Sequence, residues 1–229
     1  MSIGPAEESR RNQTAAQQTF MVGAYQHQAD DPVVFTFTPR GLQQARGQGG
    51  VPKRVPQYRV AVRGTSEKLD FDWVGTPDDP GSARTEIEAE VTVRMRERAA
   101  WIGRVTDLMT EVEEWARELG WSTKRVEKKL DDARVGSHRV PALLMQAETC
   151  RMILEPVGRS TPGSEGVVDL YLMPAYDDVA SIYYYEGRWN LHYVFPGDGV
   201  VKSPREADAL ALSKEVLERV LAEMREHAH

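Results

Sequence analysis

The sequence predicts an α+β protein: an antiparallel β-meander packed against a long amphipathic helix and a C-terminal helix, with a loop-rich N-terminal extension. Three observations predict it. Residues 166–195 read as three consecutive strands joined by short turns. Residues 97–119 carry apolar positions three and four apart, the period of a helix facing a core. The strands come as a run flanked by helices rather than alternating with them, which favours an antiparallel sheet.

At 229 residues the chain is long enough for one large domain or a domain with a sizeable extension. The expected division is an extension with short strands over residues 1–81 and an α+β domain over 82–229. Hydrophobic residues make up 41%, enough for a packed core with some polar chain left over. The net charge of −6 argues against a general nucleic-acid binder while leaving room for a local basic patch. One cysteine, Cys150, allows no intrachain disulfide. No apolar leader opens the sequence and no run is long enough to span a membrane, so a soluble cytoplasmic protein without membrane contact is expected.

In order along the chain, residues 6–18 have the composition of a short helix with thin apolar content. Residues 33–38 are β-branched or aromatic and read as a strand bounded by Pro32 and Pro39. Between Thr38 and Ser66 stand Arg40, Arg46, Lys53, Arg54, Arg59 and Arg63, with no acid and many glycines and prolines. That density reads as an irregular arm, with a strand over 58–62. The segment GTPDDPG at 75–81 reads as a linker.

From 85 to 95 the apolar residues Ile87, Ala89, Val91, Val93 and Met95 alternate with charged and polar ones, which predicts a half-buried strand. The long helix then follows to Gly120, placed as a C-terminal cap. A second, cationic helix is expected from Ser122 to about Ala133, carrying Lys124, Arg125, Lys128 and Lys129. Residues 140–146 and 150–156 read as paired strands. The meander strands follow at 168–173, 179–185 and from Trp189, with Glu186-Gly187 as a hairpin turn. Ser203, Pro204 and Glu206 have capping-box spacing for a last helix whose buried face is Leu210, Leu217, Leu221 and Met224.

No motif fixes a reaction. The arm has no Walker pattern, and no nucleophile elbow, Rossmann fingerprint, CxxC or HExxH occurs, so no cofactor is expected, and whether the chain is an enzyme stays open with the balance toward a non-catalytic role. The expected function is a non-catalytic binding or adaptor subunit of a larger assembly. A protein partner is expected, with nucleic acid as a further class, and the oligomeric state stays open. The contact candidates are Arg40, Arg46, Lys53, Arg54, Arg59 and Arg63 of the arm, with Lys124, Arg125 and Lys128 of the cationic segment. Phosphate neutralisation needs clustered cations of this kind, although solvated loops and charged helix faces have the same composition. The alternative is a metal-assisted hydrolase or nuclease using acids of the meander. Asp169, Asp177 and Asp178 are its weak metal candidates, with Tyr171, Tyr184 and His192 nearby in sequence.

Overall fold

A computed structural model describes residues 19–22, 33–46, 52–63, 68–74, 80–176, 178–195 and 208–227. The α+β class expected from the sequence holds, with two antiparallel sheets among these residues. The chain separates into two compact units. One comprises residues 1–97 with 133–138, the other 98–132 with 139–229.

In the first unit, β1 (Thr19–Val22), β2 (Val33–Arg46), β3 (Pro52–Arg63) and β4 (Lys68–Val74) form a sheet in that order. The strands at 33–38 and 58–62 are therefore present but longer than expected. Much of the glycine- and proline-rich arm is regular ladder rather than irregular loop. Alternation explains the buried side of this sheet: Val60, Val62, Leu69 and Phe71 are buried and cluster with Ile87 and Val91.

Those last two residues correct the strand expected over 85–95. It is the first part of α1, a 39-residue helix over Pro80–Glu118. The strict alternation was compatible with a helix after all, because Ile87, Val91 and Met95 stand four apart and share one face. Val91 and Ile87 are buried there, whereas Val93 is 41% exposed. Glu90 and Arg94 form an i,i+4 ion pair at 2.7 Å, and the Thr92 hydroxyl donates to the Glu88 carbonyl. Arg94 also stacks over the Phe71 ring. The linker expected at 75–81 lies largely outside the described residues, and so does the helix expected at 6–18.

The second unit holds the later part of α1 and a seven-stranded sheet. Its strands are β5 (Ser122–Asp132), β6 (Gly136–Ala147), β7 (Cys150–Gly158), β8 (Val167–Met173), β9 (Val179–Tyr185), β10 (Arg188–His192) and β11 (Leu210–Ala211). They lie in the order β11-β10-β9-β8-β7-β6-β5. The helix α2 (Lys214–Glu226) closes the chain. One face of the sheet packs against both helices. Trp101, Val105, Met109, Val112 and Ala116 from α1 meet Leu143, Met152, Leu154, Leu170 and Ile182 from the strands and Leu217, Val220, Leu221 and Met224 from α2. Each fully buried leucine or isoleucine in such a cluster stabilises the fold by about 1.5–3 kcal/mol through removal from water.

Local signals set the ends of these elements. Gly120 has φ +85, its N–H bonds the Arg117 carbonyl, and the Trp121 N–H bonds the Ala116 carbonyl. This double closure is the expected glycine cap, a Schellman motif with Trp121 folded back and buried. Glu186 and Gly187 both take positive φ, as a two-residue type I′ hairpin requires, and Tyr185 pairs with Arg188 across them.

Two expectations are corrected. The cationic helix over 122–133 is the edge strand β5. Val126 and Leu130 are four apart, a spacing that suits either period. The strand wins because burial alternates from Val126 through Lys128, Leu130 and Asp132. Lysine-rich edges also discourage a further strand from adding. The last helix begins at Lys214, capped by the Ser213 hydroxyl, which accepts from the Val216 N–H. Leu210 belongs instead to β11. The capping box expected at Ser203 lies outside the described residues.

Candidate functional site

The expected basic arm is an antiparallel hairpin. Its strands pair from Val34 with Arg63 to Arg46 with Pro52. The inner half is flanked: β1 pairs with β2 over Val33–Thr36, and β4 pairs with β3 over Gln57–Arg63. Beyond those limits the described residues offer no third strand. Residues 41–46 and 52–56 form a two-stranded ribbon past the sheet, about 20 Å long at the usual rise of ~3.3 Å per residue.

A register shift between Pro39 and Gly41 marks a bulge, which leaves Arg40 outside the ladder and exposed. Bulges bend a strand and raise its twist. Register sets Arg54 opposite Gln44, Lys53 opposite Ala45 and Arg46 opposite Pro52. Four of the six arm cations therefore belong to the ribbon or its base.

The other two are anchored in the sheet. Arg59 pairs with Asp72 at 3.3 Å and Arg63 with Asp70 at 2.7 Å. Both pairs are solvent-accessible and worth no more than about 1 kcal/mol each. Their positive charge is locally balanced, which the arm's own sequence could not reveal because the acids arrive from β4.

The cations of β5 are also engaged. Arg125 reaches the Glu113 carboxylate on α1 at 2.6 Å and the Thr110 hydroxyl at 2.9 Å. Arg117 at 2.5 Å and the Thr123 hydroxyl at 3.1 Å complete the shell of Glu113. Burial alone would raise the Glu113 carboxyl, but Arg125, Thr123 and Arg117 together hold it below the usual carboxylate value. This clamp ties helix to edge strand and reads as structural. Lys128 pairs with Glu155 at 3.0 Å, and Lys124 is exposed. Lys124 stands at the rim of a shallow groove of about 280 Å³ with Leu144, Gln146, Arg151 and Met173.

The meander acids fall into separate settings. The helix-free face of the seven-stranded sheet aligns Glu155, Asp169, Ser181 and His192 in one cross-strand row. The Tyr171 hydroxyl donates to Asp169 Oδ2 at 2.9 Å, while Oδ1 is buried without a hydrogen-bond partner. Burial pushes the Asp169 carboxyl above its ordinary value. The Ser181 and Tyr171 hydroxyls act against that, Glu155 adds to it, and Lys128 opposes it.

Asp178 accepts instead from the Tyr193 hydroxyl at 3.0 Å and lies 2.7 Å from His227 Nδ1. Tyr184 sits on the helix side of the sheet, edge-on to Trp189 and under Arg104. His192 lies edge-on to Tyr183. Asp177 lies outside the described residues. Among the described residues no three His, Cys, Asp or Glu side chains gather closely enough to hold a metal ion.

Sequence reading missed the row from Glu155 to His192. Its four members lie on four strands, and only the register brings them into line. No helix among the described residues is long and apolar enough to cross a membrane. No family model, no curated protein and no solved structure matches this chain.

Proposed function

We propose that this chain is a non-catalytic binding or adaptor subunit of a larger assembly, working in the cytoplasm, and that it meets a protein or nucleic-acid partner through the basic β-ribbon. The observation that carries the reading is the ladder itself. Residues 41–46 and 52–56 pair with each other and, among the described residues, with no flanking strand. A two-stranded ribbon is marginally stable in water on its own. Such an element gains most from a partner that covers it, and its binding free energy includes the cost of ordering.

The alternative of a metal-assisted hydrolase draws no support from the described acids. Asp169 and Asp178 serve different hydrogen-bond clusters, with Tyr171 in one and Tyr193 and His227 in the other.

Shortening the ribbon tests the proposal. Gly41 pairs with Gln57, so a two-residue Asn-Gly turn in place of residues 42–56 closes the hairpin at a natural register. In a native extract, gel filtration with light scattering is expected to place the full chain in a larger complex and the shortened chain in its free form. Equal elution of the two overturns the reading.

A further inference from the structure

We infer that the shallow groove on the helix-free face of the seven-stranded sheet binds a small amphiphilic anion, a single carboxylate on a short apolar body. Lys124 and Arg151 take the carboxylate, and Leu144 and Met173 take the apolar part. The site is independent of the ribbon.

Topology builds the groove. Leu143, Met145, Met152 and Leu172 belong to the cluster shared with the helices, so alternation sends Leu144, Gln146, Arg151 and Met173 to the opposite face. Register places Gln146, Arg151 and Met173 in one row across β6, β7 and β8. With Ser122, Thr123 and Lys124 of the edge strand these residues line a space of about 280 Å³. That is near the lower end for small-molecule sites, which calls for a short ligand.

Charge selects the sign. Lys124 and Arg151 are exposed, and neither has an ion-pair partner among the described residues. Arg151 Nη2 comes no closer than 3.5 Å to the Gln146 side-chain oxygen. No acid lines the groove. Glu148, in the turn between β6 and β7, pairs with Arg225 of α2. Asp178, beyond β8, is engaged by Tyr193 and His227. Glu155 and Asp169 stand four residues along their strands from Arg151 and Met173, about 13 Å away, and Glu155 is paired with Lys128. One strand separates β5 from β7, so Lys124 and Arg151 start about 10 Å apart. Two long side chains can close that gap on one carboxylate, which a guanidinium receives through two parallel hydrogen bonds.

The lining selects the rest of the ligand. Leu144 and Met173 are half-buried on this face, and a thioether adapts to apolar bodies of irregular shape. An inorganic anion would leave that apolar surface wet. An amine or a neutral amphiphile would leave the two cations unmatched.

The test is an NMR titration of the full chain with butanoate, hexanoate and octanoate, read at the Gln146 and Arg151 amides and the Met173 methyl. Affinity is expected to rise about fourfold per buried methylene, and octylamine is expected to leave these signals in place. Lys124→Ala and Arg151→Ala should each weaken octanoate roughly 10-fold or more. A control pair outside the groove, Arg139→Ala with Arg188→Ala, should bind as the wild type does, and circular dichroism checks that every variant stays folded. A capped peptide ending in leucine separates two sources of the same chemistry. Tighter binding than octanoate assigns the carboxylate to a chain end, and weaker binding assigns it to a free fatty acid. No shift at the groove, an equal response to octylamine, affinity that does not change with chain length, or affinity untouched by both substitutions overturns the inference.

Discussion

In the seven-stranded sheet every strand from β6 to β10 contributes to an apolar cluster shared with both helices. In the N-terminal sheet the described cover is much smaller: Val60 and Val62 of β3 and Leu69 and Phe71 of β4 against Ile87 and Val91 of α1. The seven-stranded sheet has its ladder backed by side-chain burial along nearly its whole width. The N-terminal sheet has a hairpin whose outer half runs on without a flanking strand among the described residues. Backbone hydrogen bonds contribute only about 1 kcal/mol each net of water, so the shared apolar cluster does most to hold the seven-stranded sheet. Under the function proposed above, the packed sheet is the scaffold and the ribbon the contact element.

The largest effect should come from the scaffold. Leu170→Ala removes a fully buried side chain at the centre of the sheet. It is expected to cost about 2–5 kcal/mol in denaturant unfolding. A cost near zero would mean that the cluster is not the core. Gly166→Ala comes next. A Cβ there would stand 2.5 Å from the fully buried ring of Trp101, so overpacking should cost about 1–3 kcal/mol. Trp101→Leu in the same chain is expected to relieve part of that penalty, and purely additive losses would refute the contact.

Glu113→Gln should cost less, about 1–2 kcal/mol, since it weakens the hydrogen bonds to Arg117 and Arg125 without emptying the site. Because the Glu113 carboxyl is held below its ordinary value, its contribution is present at neutral pH. It fades as acid titrates the folded protein through that lowered pKa. The wild-type advantage over the glutamine variant should therefore shrink below the normal carboxylate range, and an advantage that persists there argues against the clamp.

At the bottom of the scale stands the imidazole that follows α2. His227 is raised above its ordinary value mainly by its hydrogen bond to Asp178, with Glu223 and Glu226 adding to it. A raised pKa stabilises the fold below the unfolded value of about 6.5 and loses that contribution as pH rises through the folded one. NMR titration should show the raised midpoint in the wild type and a return toward about 6.5 in Asp178→Asn. An unchanged midpoint would break the link.

How much of this was legible in the sequence depends on which period a segment obeys. The meander strands were legible because each alternates cleanly, as Val168, Leu170 and Leu172 do against Asp169 and Tyr171. The Gly120 cap and the Glu186-Gly187 turn were legible because positive φ selects glycine strongly. Residues 85–95 and 122–133 misled because apolar residues four apart satisfy both periods. The choice between helix and strand there was made by packing that comes from distant parts of the chain. The same limit hid the charge balance of the candidate site. Asp70, Asp72, Glu113 and Glu155 neutralise Arg63, Arg59, Arg125 and Lys128 only once strands and helix are side by side.

The most direct measurement is amide hydrogen exchange of the full chain, free and in the larger complex recovered from a native extract. Amides of residues 41–46 and 53–55 should exchange fast in the free protein and slow markedly on binding, while β7 and β8 stay protected throughout. Ribbon amides as protected as those of β7 and β8 before any partner is added, or protection that appears instead on the seven-stranded sheet, would contradict the division between scaffold and contact element.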